Sequence, residues 1–71
     1  MKVNYRGFKI ETKREKSLGG WDNIYFTVMR KEDGWFLEDS FSESEDKIED
    51  FVNGLKVLVD DYHENPSDYE N

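Results

Sequence analysis

The spacing of apolar positions changes character once along the chain, near residue 42. Before it, Val3, Tyr5, Phe8 and Ile10 become same-face neighbours if Arg6-Gly7 is a two-residue hairpin turn. That register sets Tyr5 opposite Phe8 and Val3 opposite Ile10. The other face then shows Lys2, Asn4, Lys9, Glu11 and Lys13. A loop is expected from Arg14 to Asp22. A third strand follows, in which Ile24, Phe26 and Val28 alternate with Tyr25, Thr27 and Met29. Lys31-Glu32-Asp33-Gly34 has turn composition, and Trp35-Phe36-Leu37-Glu38 makes a fourth strand. A four-residue loop would pair Val28 with Leu37, both on the core side.

Beyond residue 42 the period becomes helical. Ser42 followed by Glu45 has the spacing of a capping box, which satisfies orphan backbone donors at a helix start. Ile48, Phe51, Val52, Leu55, Leu58, Val59 and Tyr62 then fall in one stripe less than half the circumference wide, the pattern of a helix packed on a sheet. Gly54 flanks the stripe and costs about 1 kcal/mol relative to alanine, so a close approach to a strand is expected there. Asn65-Pro66 should end the helix. The expected architecture is α+β: a four-stranded antiparallel meander with one C-terminal helix on one face, a ββββα two-layer sandwich. It forms a single domain over residues 1–65, with 66–71 as a frayed tail.

Composition agrees with one small domain. The chain has 71 residues, 35% apolar and 15% aromatic against 38% charged, enough for a modest core. It lacks cysteine, which excludes a disulfide framework and thiolate metal sites and fits a reducing compartment. No apolar run approaches the ~20 residues of a membrane span, and MKVNYRGFKI has no signal-peptide core. A cytoplasmic protein is expected.

Chemistry finds little purchase. His63 is the only histidine, placed where a cation favours the helix C-terminus. No nucleophile elbow, phosphate-binding loop or dinucleotide fingerprint is present. Neither EDGWFLEDS nor SESED has the ligand spacing of a calcium loop. The expectation is a non-enzyme without metal or cofactor.

Charge is more informative. Residues 1–31 carry eight bases against three acids, a balance of +5, whereas residues 32–71 carry fourteen acids against Lys47 and Lys56, a balance of −12. Segregation of this kind predicts two surfaces of opposite potential. Opposite the helix stripe stand Asp46, Glu49, Asp50, Asp60 and Glu64, with Glu43 and Glu45 at the start and Asn53 and Lys56 between them. Acids in a first turn complement the helix dipole, but Asp60, Asp61 and Glu64 lie at the wrong end for that. The face is therefore either an ordinary solvated surface or one shaped for a basic protein partner, with Val57 as an apolar contact and the candidate site at Glu43, Glu45, Asp46, Glu49, Asp50, Val57, Asp60 and Trp21. A competing expectation uses the other half. Lys2, Lys9 and Lys13, with Tyr25 and Phe36 on the outer sheet face, would stack bases and track phosphates of a single strand, helped by Arg14, Lys16 and Trp21 in the loop. The net charge of −7 opposes a polyanion at long range. Either a monomer or a weak homodimer fits.

The stretch FSESEDKIEDFVNGLK resembles the Ser-Glu-Ser-Glu helix opening and following apolar pattern of a small anti-CRISPR family that imitates DNA and blocks an RNA-guided nuclease. Element order, size and acidity resemble phage and prophage accessory proteins more generally. This resemblance implies that Glu43, Glu45, Asp46, Glu49 and Asp50 stand in for phosphates. By topology the chain is also similar to HicB-type antitoxins, which have a toxin partner. It is similar as well to a dimeric single-strand-binding fold of four strands and a C-terminal helix.

Trp21 follows Gly19-Gly20 and precedes the third strand. Its easiest placement folds the ring over the open end of the sheet; the alternative is an exposed anchor, a role tryptophan often fills at interface hot spots. Trp35 should be at least half buried.

Overall fold

A computed structural model describes residues 1–70. It contains β1 (Lys2–Tyr5), β2 (Phe8–Lys16), β3 (Asp22–Arg30), β4 (Phe36–Glu43), α1 (Ile48–Glu64) and a short 3-10 turn, Pro66–Asp68. The strands form one antiparallel sheet in the order β1-β2-β3-β4. The fold is the expected α+β meander with one C-terminal helix.

The first hairpin has the register its sequence predicts, with Val3 opposite Ile10 and Tyr5 opposite Phe8. Its turn holds both Arg6 and Gly7 at positive φ, 47° and 85°. Glycine takes this conformation freely, whereas a side chain there costs about 1–2 kcal/mol. Arg6 offsets that cost by reaching Asp60 on α1 at 2.7 Å.

Even-numbered residues of β2 and β3 face the helix, because pleating alternates side chains between faces. Phe8, Ile10, Ile24 and Val28 are buried there, and Phe8, Ile10 and Val28 form one cluster with Val52, Leu55, Val59 and Tyr62 from α1. Phe8 stands edge-on to Tyr62 with ring centroids 5.3 Å apart, and Phe26 tilts against Phe51 at 5.0 Å. The helix rests chiefly on β2. Strand β4 explains the offset: its positions opposite Ile24, Phe26 and Val28 are Ser42, Ser40 and Glu38, which offer the helix nothing apolar.

Several expectations need correction. The loop expected from Arg14 to Asp22 is shorter, since β2 and β3 remain paired to Lys16↔Asp22 and only 17–21 turn. The fourth strand runs from Phe36 to Glu43, beyond the expected Trp35–Glu38. Val28 pairs with Glu38, not with Leu37, and Met29 pairs with Phe36. Leu37 is the extra residue of a bulge, which lets it and Trp35 both pack against the core. Because Ser42 and Glu43 belong to β4, the capping box does not form. The helix begins at Ile48 with no side-chain cap, and Ser44 Oγ instead accepts the Asp46 N–H at 3.1 Å.

The segment expected to fray carries structure as far as it is described. Tyr69 packs against the core cluster and donates its hydroxyl to Asp61, and Glu70 pairs with Arg30. Asn71 lies outside the described residues.

Gly54 approaches no strand: a Cβ built there meets nothing within 4 Å, and the residue is exposed. Gly54→Ala should therefore stabilise the protein by about 1 kcal/mol, read as a higher urea midpoint at unchanged slope. An unchanged or lower midpoint would mean that the helix needs flexibility at that turn.

Candidate functional site: an acidic corner between β4 and the helix

Among the described residues, five of the chain's ten lysines and arginines are engaged by its own carboxylates. Arg6 pairs with Asp60, Lys9 with Glu11 at 3.1 Å, Lys13 with Glu15 at 2.9 Å, Arg14 with Asp22 at 3.4 Å, and Arg30 with both Asp33 and Glu70. Three of these bridges, Arg6–Asp60, Arg30–Asp33 and Arg30–Glu70, join the basic half of the sequence to the acidic half. The charge segregation along the chain is thus partly cancelled in space.

This cancellation removes part of the expected acidic face. Asp60 accepts from the Tyr5 hydroxyl at 2.8 Å as well as from Arg6, and Asp61 accepts from Tyr69 and from the Asn65 amide. The carboxyl of Asp60 is held below its ordinary range by Arg6 and then by Tyr5, whose own hydroxyl is pushed up by the carboxylate. Asp60 ties the first hairpin to the helix.

Around Arg30 the second cluster is tighter. Its guanidinium engages Asp33 and Glu70, donates to the Tyr62 hydroxyl at 2.7 Å, and lies 4.9 Å above the Trp35 ring. The hydrogen bonds from Arg30, then the Trp35 N–H, lower Asp33 to about 2. Asp33, Asp60 and Glu11 are all depressed, so the folded state binds fewer protons than the unfolded chain near pH 3. Their stabilisation is complete above about pH 5 and is lost as pH falls through the folded values, toward 2 for Asp33. The thermal midpoint should drop across that interval, and Asp33→Asn should flatten the drop. An identical pH profile in the variant would show that Asp33 does not carry it.

Of the carboxylates without an ion pair, five gather at one corner. Glu43 ends β4, Glu45 and Asp46 occupy the connection, and Glu49 and Asp50 lie in the first turn of α1. Among the described residues none of these five forms an ion pair, although Lys47 sits in their midst. Only Glu49 and Asp50 are helical; the other three reach the corner from strand and connection. All five are exposed.

Arg14 shapes this corner, a role the sequence did not announce. It extends from the helix-facing side of β2, where Nη1 donates to the Ser44 carbonyl at 3.1 Å and Nη2 to the Asp46 carbonyl. The same guanidinium pairs with Asp22. It thus grips the backbone of the acidic segment without engaging the segment's carboxylates. The available signal was parity: Arg14 continues the inward series Phe8, Ile10, Thr12, where a charged side chain needs a reason.

The remaining candidates divide. Val57 is exposed in mid-helix, beyond the acidic turn. Trp21 does not cover the core: it is 49% exposed, outside the core cluster, and its ring lies against the backbone of Gly19, where a Cβ would come within 1.7 Å. Trp35 is partly buried. Lys2, Lys9, Lys13, Tyr25 and Phe36 do share the outer face by register. There, however, Lys9 and Lys13 are bridged to Glu11 and Glu15, and Asp39 and Glu43 add further acids, so the face offers phosphates little net attraction. Lys16 stands opposite Asp22 in strand register, at the exposed end of β2.

His63 Nε2 donates to the Arg6 carbonyl, 2.9 Å away, and the ring stands edge-on to Phe8. Among the described residues no group of three or more His, Asp or Glu side chains could hold a metal ion. Among the described residues no helix is long and apolar enough to cross a membrane. Comparison with protein-family models, curated proteins and solved structures gives no match.

Proposed function

We propose that this is a small non-enzymatic binding protein whose corner of Glu43, Glu45, Asp46, Glu49 and Asp50 engages a basic surface on another protein, as an inhibitor that imitates nucleic acid would. One observation carries the reading: five exposed carboxylates, none of them ion-paired among the described residues, gather at this one corner on a backbone held by Arg14, whereas Asp33 and Asp60 are bridged by the chain's own arginines. A cluster of free carboxylates steers a cationic partner and gains most from one that brings arginines. Asp60 has its partner inside the chain and is not part of this surface. A cytoplasmic target of basic character, such as a nucleic-acid-binding enzyme, suits the charge.

The test compares two triple variants that raise net charge equally. Glu45→Lys, Glu49→Lys and Asp50→Lys alter the corner; Glu32→Lys, Glu64→Lys and Asp68→Lys alter exposed acids elsewhere. In a lysate pull-down, the corner variant should lose salt-sensitive basic partners that the second variant keeps. Reversing the two first-turn acids costs the helix only about 1 kcal/mol, so circular dichroism should show both folded. Equal loss in both variants would reduce the effect to overall charge and end the proposal.

A further inference from the structure

The sheet face turned away from α1 is uncovered, and its side chains form a self-complementary pattern. Along β2 this face reads Lys9, Glu11, Lys13, Glu15, opposite Met29, Thr27, Tyr25 and Asn23 of β3. On β4, Phe36, Asp39 and Phe41 continue the rows. Tyr25, Phe36 and Phe41 are 42%, 47% and 60% exposed, and Tyr25 tilts against Phe41 with centroids 5.4 Å apart. Beside Tyr25 runs a depression of about 440 Å³ whose lining includes Glu11, Lys13, Tyr25, Thr27 and Asp39. Its floor is the row Thr12–Phe26–Ser40.

A two-fold axis laid along that row reverses β2 against its copy. Lys9 then faces Glu15 of the second molecule, and Glu11 faces Lys13, so each of the four outer-face charges of β2 meets its opposite. The same operation brings the Tyr25 ring of each copy over Thr27 of the other, into the depression. We propose that a second copy of this chain docks on the outer sheet face, making an isologous face-to-face dimer about the Thr12–Phe26–Ser40 row.

Geometry sets its strength. Four strands about 4.8 Å apart and eight residues at about 3.3 Å each present roughly 500 Å² per copy. The total of about 1,000 Å² lies at the lower bound for a specific interface, which suits a dissociation constant of about 10–100 µM. Edge-to-edge pairing through β4 is disfavoured, because Glu38, Asp39 and Glu43 would crowd their own counterparts. The lysines are free to change partners, since the Lys9–Glu11 and Lys13–Glu15 bridges are solvent-exposed pairs along one strand.

The charge pattern supplies a register-specific test that leaves the acidic corner untouched. Sedimentation equilibrium of the intact chain from about 5 to about 500 µM should show a reversible dimer. Lys13→Glu sets Glu11 against a glutamate twice, once per copy, and should weaken association about tenfold or more; Glu11→Lys should do the same against Lys13. The double variant Glu11→Lys/Lys13→Glu restores opposite charges at both pairs and should recover the original affinity. A strictly monomeric protein, insensitivity to Lys13→Glu, or failure of the double variant to recover would each overturn the proposal. So would binding of a fluorescein-labelled oligothymidylate that Lys13→Glu abolishes, which would give the face to a nucleic acid. Both single variants should still capture a basic partner through Glu45, Glu49 and Asp50, so failure of either surface is recognisable by itself.

Discussion

Phe8→Ala should leave a large fraction of the chain unfolded at room temperature. Phe8 is 1% exposed and lies in the central strand at the point where the first hairpin, α1 and the C-terminal segment meet. Its ring meets Tyr62 and His63 edge-on at 5.3 and 5.9 Å. Truncating a buried phenylalanine costs about 3–5 kcal/mol, because the transfer energy is lost and the cavity relaxes only in part. A domain of this length has about 4–10 kcal/mol in total, and small domains lie low in that range. The two quantities are comparable, so the fluorescence-detected urea transition should shift to near zero denaturant. Phe41→Ala is the matched control. Phe41 is 60% exposed on the outer face, and its removal should move the midpoint by no more than about 0.5 kcal/mol. Equal effects of the two substitutions would place the core on the wrong side of the sheet.

Phe8 also shows why the fold was legible. It alternates with Ile10 on β2 and pairs with Tyr5 across a two-residue turn, so local spacing alone specified its strand, its face and its partner. The helix was equally plain, since Val52, Leu55, Val59 and Tyr62 repeat at helical spacing and are all buried. Strand β4 was less so. Its helix-side residues Ser40 and Ser42 are polar and its outer residue Phe41 is apolar, the inverse of the usual pattern, because the helix rests chiefly on β2 and not on this part of β4. The same polar run imitated a helix cap, and the bulge at Leu37 shifted the pairing by one residue. Spacing reports burial faithfully only where the second layer lies above the strand.

The site was half legible for a related reason. Sequence shows where carboxylates are, but whether they are free depends on cations distant along the chain. Asp60 and Glu49 look alike on a helical wheel; one is held by Arg6, fifty-four residues away in sequence, and the other has no ion-pair partner among the described residues. Trp21 was misplaced because its neighbour Gly19 gives the ring a surface to lie on without the core.

Replacing Arg14 separates two accounts of the acidic corner, because they predict opposite signs. Arg14→Ala removes a positive charge beside Glu45 and Asp46, so an account based on charge alone has capture of a basic partner rise. An account based on a preformed shape has it fall. The carbonyls of Ser44 and Asp46 lose their donor, and the connection from Glu43 to Ile48 regains freedom that binding must then remove. Hydrogen bonds to a charged group contribute about 1.5–3 kcal/mol, so a stability loss of about 2 kcal/mol should accompany the change. Arg14→Lys should recover little, since one ammonium cannot fork between two carbonyls and Asp22 as the guanidinium does. Amide exchange over residues 44–48 should quicken in both variants while the β2–β3 ladder stays protected. Stronger capture by Arg14→Ala, with exchange at 44–48 unchanged, would show that the corner works as a diffuse negative field and that Arg14 serves only to balance Asp22.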